Sequence, residues 1–300
     1  MDAVVAGARE ADRVVLGIDA AWTTGQPSGV ALVAAKGDDW RCLAVAPSYQ
    51  QFIACAAGEP VDWARRPPAG SAEVTLLLAA VRGLAGRESD VIAVDMPLAA
   101  GLIIGRRACD TSISRRFGAA GAAVHSPTPQ RPGPVAEQLR RGLEAHGYSL
   151  AVSAPLTAPF KVVVETYPHP VAMELCDSRR RVPYKQARIA RYWPDLSPLA
   201  RREQLLRVWV DLLQALQLRI ADIGLPAPVQ IANGSSATMK GWEDALDGLL
   251  CAWAGTHLLA GTATAYGDHT AAIWLPTGCE DYRARPDRYP TAINASRTGP

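Results

Sequence analysis

Acidic side chains stand at the ends of three apolar runs of this sequence. Asp19, Asp95 and Glu165 each close a run that is rich in valine, isoleucine and alanine, which is typical of a strand buried on both faces. The carboxyl ends of parallel strands meet at one edge of an open sheet. We therefore expect these three acids to lie close together although they are far apart in the chain.

A late amphipathic segment adds further acids to this set. Residues 237–259 place apolar side chains at helical spacing, and Asp244 and Asp247 stand three positions apart, so they share one face of the predicted helix. Glu243 is rotated by about 100° from its neighbour and lies four positions before Asp247. Geometry alone permits either Glu243 or Asp244 to be the partner of Asp247.

Convergence of so many carboxylates requires a compensating positive charge. Two carboxylates about 4 Å apart repel by roughly 4 kcal/mol at an effective dielectric constant near 20. Oxygen ligands of this kind suit Mg²⁺ or Mn²⁺, and paired cations in such sites promote phosphodiester hydrolysis. We predict catalytic roles for five acids, of which all but Glu165 are metal ligands: Asp19, Asp95, Glu165, Asp244 and Asp247.

Five short motifs follow one another in a specific order: GIDAAW at 17–22, VDMPL at 94–98, RRACD at 106–110, VETYPHP at 164–170 and EDALD at 243–247. In this order they resemble domain-of-unknown-function family 429, whose members are regarded as predicted nucleases of RNase H-like fold. The last motif is similar to the Asp-x-x-Asp-Ala-Leu element of Holliday-junction resolvases, with Gly248 in place of the alanine. The resemblance implies an α/β fold with a mixed five-stranded sheet flanked by helices.

The periodicity of the chain predicts the elements that position these residues. We expect one domain over residues 13–276, with a helical insertion at about 177–236 and flexible termini at 1–12 and 281–300. The predicted elements are a three-stranded meander within the first 46 residues, a helix at 73–84, strands at 90–95 and 161–165, a long loop at 119–134 before a helix at 135–146, and a hairpin at 262–275 that turns at Gly267 and Asp268.

Arginines after the second acidic strand are candidates for substrate binding. Arg106 and Arg107, with Asp110 beside them, can hold a phosphate through guanidinium groups, and a solvated helix face with an internal ion pair explains them equally well. A denser basic run at 179–191 is interleaved with and followed by Tyr184, Tyr192 and Trp193, whose rings are candidates for stacking on unpaired bases, while balancing charges and core packing explain much of the same pattern.

Composition limits the class of protein. The chain has 300 residues and a net charge of +2, so nucleic acid, DNA or RNA, is expected to bind locally rather than over a basic surface. The charged residues of the first dozen positions and the lack of a long apolar run predict a cytoplasmic protein without membrane association. The scattered cysteines and histidines predict neither zinc nor disulfides.

The leading interpretation is a metal-dependent nuclease. One alternative is an ATP-dependent phosphotransferase of the actin and sugar-kinase type, since those proteins also open with a Gly-Ile-Asp strand but normally need two such domains. Another is a nucleic-acid-binding protein without catalytic activity.

Overall fold

The computed structural model describes residues 11–292, which form a mixed sheet covered by helices on both faces. The strands are β1 (Arg13–Asp19), β2 (Gly29–Lys36), β3 (Asp39–Ala46), β4 (Val91–Val94), β5 (Ser149–Leu150), β6 (Val162–Thr166), β7 (Ala263–Gly267) and β8 (Ala272–Pro276). They are arranged in the order β3-β2-β1-β4-β6-β8-β7, and β5 pairs with β6.

The α-helices are α1 (Tyr49–Ala56), α2 (Val74–Ala85), α3 (Ala108–Phe117), α4 (Pro134–Ala145), α5 (Pro168–Leu175), α6 (Ile189–Tyr192), α7 (Pro198–Gln217) and α8 (Ser236–Leu259). Side chains of α1, α2 and α4 pack on one face of the sheet, and those of α3, α5, α7 and α8 pack on the other. Alternation along β1 explains this division, since Val15 faces α8 whereas Leu16 faces α1 and α2.

The α/β class and the main elements agree with the sequence prediction. β1, β2 and β3 form the expected antiparallel meander, and Gly37, with φ of 61°, makes the turn between β2 and β3. β4, β6 and β8 continue the sheet in parallel with β1. The hairpin β7-β8 turns at Gly267 as predicted and is part of the same sheet.

The sheet has eight strands rather than the five that were expected. The difference arises because β8 pairs with β6, which joins the hairpin to the main sheet, and because the short β5 pairs along the other part of β6. Neither pairing is visible in the local sequence, since each depends on segments that are far apart in the chain.

Close helix packing fixes α8 on the sheet. A Cβ built on Gly17 would lie 2.1 Å from the carbonyl oxygen of Gly248, so only a glycine permits this approach. A Cβ built on Gly248 would in turn lie 3.1 Å from the carbonyl carbon of Gly29, which is tighter than an ordinary contact with backbone.

The segment between α5 and α8 is helical, as expected, and packs on α8. Trp209 of α7 stacks on Trp242 of α8 with 4.6 Å between the ring centroids. The indole N–H of Trp209 also donates to the carbonyl oxygen of Tyr184 at 2.7 Å, which fastens the preceding loop to the domain.

Several residues of the predicted loose tail contact the domain between positions 281 and 292. Tyr282 and Thr291 are buried, and the Tyr282 hydroxyl donates to the carbonyl oxygen of Arg116 at 2.8 Å. Arg285 forms an ion pair with Glu174 of α5. The remaining positions of the two predicted flexible termini, 1–10 and 293–300, lie outside the described residues. Within residues 11–292, none of the helices combines the length and the apolar character that crossing a bilayer requires.

Candidate metal centre

Three of the predicted acids converge at the end of β1. Asp19, Asp244 and Asp247 each place a carboxylate oxygen within 4.8 Å of the others, although α8 is more than 200 positions beyond β1 in the chain. Asp244 and Asp247 share the face of α8 that meets the sheet, as their spacing predicted. Asp247 is fully buried and Asp19 is half-buried, so the cluster lies at the base of an open groove.

Asp95 lies beside this cluster. Its backbone N–H donates to the carbonyl oxygen of Ile18 at 2.8 Å, which places it next to Asp19 at the ends of neighbouring parallel strands. Burial and the nearby Asp247 raise the pKa of Asp95 to about 7. Burial, Asp247 and Asp244 raise the pKa of Asp19 well above its ordinary value.

Two lysines that the sequence analysis did not single out as site residues partly neutralise the cluster. Lys185 forms an ion pair with Asp247, and Lys240 forms one with Asp244. Tyr184 donates its hydroxyl hydrogen bond to the other oxygen of Asp247 at 2.7 Å. The i, i+4 spacing of Lys240 and Asp244 was a usable signal, whereas nothing local connects Lys185 with Asp247, 62 positions away.

Glu243 is also buried. Its Oε2 accepts a hydrogen bond from the backbone N–H of Gln186 at 2.6 Å, and its Oε1 lies 3.6 Å from Lys185 and 3.5 Å from Lys240. Glu243 therefore holds the loop that carries Lys185, and it is not in the group of three acids whose oxygens converge.

The charge balance fits a divalent cation. Five carboxylates and two lysine ammonium groups meet here, which leaves three negative charges when all are ionised. The converging ligand atoms of Asp19, Asp244 and Asp247 are all oxygens, which Mg²⁺ and Mn²⁺ prefer.

Glu165 belongs to a separate buried network. Both of its oxygens accept hydrogen bonds from Arg107, at 2.7 and 2.5 Å, and the backbone N–H of Leu98 donates to it at 2.7 Å. Arg107 also binds both oxygens of Asp110. Burial raises the pKa of Glu165 to about 6 in spite of Arg107.

The predicted substrate-binding role of Arg107 and Asp110 is therefore corrected. All three guanidinium nitrogens of Arg107 are engaged by protein acceptors, and Asp110 is 1% exposed. These two residues position Glu165. Arg106 is exposed, and its three guanidinium nitrogens also donate to hydroxyl and carbonyl oxygens of the protein, so exposure rather than a free nitrogen distinguishes it from Arg107.

The predicted stacking of bases on Tyr184 and Tyr192 is wrong, because both rings are buried in the domain, whereas Trp193 is half-buried and packs against the core. The groove itself has a volume of about 940 Å³ and is lined by the loop that precedes α4. Its cationic side chains are Arg66, Arg131, Lys185 and Lys240. The Trp22 ring also lines it, with the Arg131 guanidinium 5.9 Å from the ring centre.

Comparison with known proteins identifies the family of this chain. Residues 17–271 match the family described as a protein of unknown function (DUF429). The chain belongs to this family. The DUF429 match includes every acid of the centre, as well as Lys185, Lys240 and Arg107. No curated protein and no solved structure matches the chain at a significant level.

Proposed function

We propose that this protein is a divalent-metal-dependent nuclease that hydrolyses phosphodiester bonds of DNA or RNA. The convergence of Asp19, Asp244 and Asp247 within 4.8 Å at the base of a large open groove is the observation that carries the proposal. When bound there, Mg²⁺ or Mn²⁺ supplies Lewis-acid stabilisation of phosphoryl charge and lowers the pKa of an attacking water.

The residues of the chain have separate roles in this proposal. Asp19, Asp244 and Asp247 hold the cation, and Asp95, with its pKa raised to about 7, lies beside them as a fourth ligand or a proton acceptor. Tyr184 keeps Asp247 in one orientation through its hydroxyl hydrogen bond. This support matters because a ligand that is free to rotate binds a cation less tightly.

The groove favours a polynucleotide as substrate. Its volume of about 940 Å³ falls within the roughly 300–1,000 Å³ range of small-molecule sites, so the proposal of a polynucleotide rests on the cationic and aromatic lining. Arg66 and Arg131 lie on its walls, where they can contact phosphates that flank the cleaved bond. Trp22 offers an aromatic surface for an unpaired base.

We further propose that the fold is RNase H-like. The meander β1-β2-β3 and the two strands parallel to β1, β4 and β6, are consistent with a mixed five-stranded core. The hairpin β7-β8 is an addition to that core. A phosphotransferase of the kinase type is less consistent with this protein, since those enzymes use two such domains and residues 11–292 contain one continuous sheet.

Cleavage of labelled nucleic acid tests the proposed function. Purified protein is incubated with single-stranded, duplex and branched DNA and RNA in Mn²⁺, Mg²⁺ or EDTA. We expect cleavage in Mn²⁺ or Mg²⁺, none in EDTA, and a loss of at least about 100-fold in Asp19→Asn and Asp95→Asn, because each removes a charge next to the reacting phosphate.

Asp195→Asn is the matched control, since Asp195 is an exposed aspartate outside the lining of the groove. Its activity should equal that of the parent. A wild-type protein that cleaves none of these substrates in Mn²⁺, or an Asp19→Asn variant with undiminished activity, would rule out the proposal.

A further inference from the structure

A second, smaller cavity adjoins the groove. It has a volume of about 190 Å³ and shares Asp95, Trp22 and His125 with the groove, so the two spaces meet beside the acidic cluster. Its volume is below the roughly 300 Å³ at which sites for drug-sized ligands begin. Its lining includes the basic residues Arg181 and Arg188.

These two arginines have no acidic partner within residues 11–292. Arg188 forms neither a hydrogen bond nor an ion pair through its side chain there, and Arg181 makes only a long contact of 3.5 Å with the carbonyl oxygen of Gly121. The Nε of Arg181 is buried without a hydrogen-bond partner. The pKa of Arg188 is lowered by burial and by repulsion from the positive charge of Arg181.

His169 lines the same cavity and supplies a second, independent indication of a ligand. It is 7% exposed, and its Nδ1 is buried without a hydrogen-bond partner. A buried polar atom without a partner costs about 1–3 kcal/mol and is rare unless something binds it. Burial and the neighbouring Arg181 lower the pKa of His169, so the ring is neutral and one nitrogen can donate an N–H.

The acidic groups around the cavity do not neutralise these donors. Glu165 and Asp110 are already paired with Arg107, which donates hydrogen bonds to both carboxylates. Asp95 lies where the cavity opens into the groove, and it makes no ion pair with Arg181 or Arg188 within residues 11–292.

We propose that this cavity binds a single phosphate group, the terminal phosphomonoester of a nucleic-acid strand whose body lies in the groove. Arg181 and Arg188 bind the phosphate oxygens through their guanidinium forks, and His169 donates a further hydrogen bond. The cavity holds one such group but has no room for a complete nucleotide. The assignment to a strand end rests on the proposed nuclease function, whereas phosphate binding itself does not.

Calorimetric titration with inorganic phosphate in EDTA tests the site without metal or turnover. We compare the parent with Arg181→Gln and Arg188→Gln, and use Arg191→Gln as the control because Arg191 is exposed nearby and lines neither cavity. We expect phosphate affinity to fall by at least about tenfold in the first two variants and to stay unchanged in the control. Circular dichroism and the unfolding midpoint without phosphate verify that each variant is folded.

A parent that gives no heat with phosphate, or folded variants with the parent's affinity, would overturn the site. A second titration compares short oligonucleotides that end in a 5′-phosphate, a 3′-phosphate or hydroxyl groups only. We expect one phosphorylated end to bind at least about tenfold more tightly than the hydroxyl end, and this difference to vanish in Arg188→Gln. Phosphate binding without any preference for a phosphorylated end would overturn the strand-end assignment.

The failures of the two proposals are distinguishable. Phosphate binding in a protein that cleaves no nucleic acid would defeat the nuclease proposal and leave the phosphate site. Metal-dependent cleavage by a protein that binds no phosphate would defeat the site and leave the nuclease.

Discussion

Gly29 of β2 lies so close to Asp244 of α8 that a Cβ built on it would fall 1.8 Å from the Asp244 carbonyl oxygen. The backbone of α8 therefore rests directly on the strand that pairs with β1, and Gly29 is the residue opposite Asp19 in that pairing. This contact fixes the distance between the first acid of the chain and the two acids of α8.

Gly29→Ala should move α8 away from the sheet. We expect the free energy of unfolding to fall by about 1–3 kcal/mol. The added methyl group would clash with backbone atoms of α8, which cannot move aside as the end of a flexible side chain can. Mn²⁺ binding should weaken as well. Urea unfolding and calorimetry measure both effects. Gly25→Ala is the control, since a Cβ at Gly25 meets nothing within 4 Å. A stable Gly29→Ala protein with unchanged Mn²⁺ affinity would contradict this role of the contact.

Asp95 should make the metal-free protein less stable as the pH rises. Its pKa is raised to about 7, against about 3.9 in an unfolded chain, so between these values the folded state binds more protons at this position than the unfolded state. Its contribution to the free energy of unfolding therefore decreases from about pH 4 to about pH 7. Asp95→Asn removes this decrease.

We accordingly expect Asp95→Asn to gain stability over the parent, with a gain that is larger at about pH 8 than at about pH 5. Urea unfolding in EDTA at several pH values measures it. A gain that does not depend on pH would contradict a raised pKa for Asp95 in the folded protein.

Lys240→Gln should increase the response of the protein to metal. Lys240 forms an ion pair with Asp244, so its loss leaves more uncompensated negative charge in the cluster. We expect the unfolding midpoint in EDTA to fall and the increase caused by Mn²⁺ to become larger than in the parent. Lys161→Gln, which removes a surface ion pair with Glu88, should change neither quantity appreciably. An unchanged Mn²⁺ response in Lys240→Gln would indicate that the cation binds elsewhere.

Arg107→Gln should destabilise the fold strongly. The change leaves the buried carboxylates of Glu165 and Asp110 without their main partner, and breaking a buried pair in this way costs about 3–5 kcal/mol. Arg106→Gln should cost about 1 kcal/mol or less because Arg106 is exposed, and should instead reduce the salt dependence of nucleic-acid binding. Equal losses of stability in the two variants would return Arg107 to the candidates for substrate binding.

Variants of α8 separate the ligands from the supporting acid. Asp244→Asn and Asp247→Asn should each lower turnover by orders of magnitude, because both carboxylates belong to the converging group. Glu243→Gln should cost much less, since its amide oxygen can still accept the hydrogen bond from the Gln186 N–H. Parallel Mn²⁺-dependent cleavage assays compare the three. An inactive Glu243→Gln beside an active Asp244→Asn would reverse the assignment.

The sequence by itself determined seven of the eight strands, the helices α2, α4 and α8, and the acids that end β1, β4 and β6. Apolar runs such as the one before Asp19, and the helical spacing of Asp244 and Asp247, depend only on neighbours a few positions away. The rule that parallel strands present their carboxyl ends at one edge then sufficed to group Asp19 with Asp95.

Only the tertiary structure decided which groups neutralise these acids. Lys185 pairs with Asp247, which is 62 positions away in the chain, and Arg107 pairs with Glu165, which is 58 positions away. These contacts depend on the paths of loops, which the local sequence pattern does not specify. The burial of Glu243 also depends on the tertiary structure, because the loop that carries Lys185 covers it, and a helical wheel does not show that loop. Electrostatic partners are chosen by three-dimensional proximity in a region of low dielectric constant, and spacing along the chain carries no information about distances of that kind.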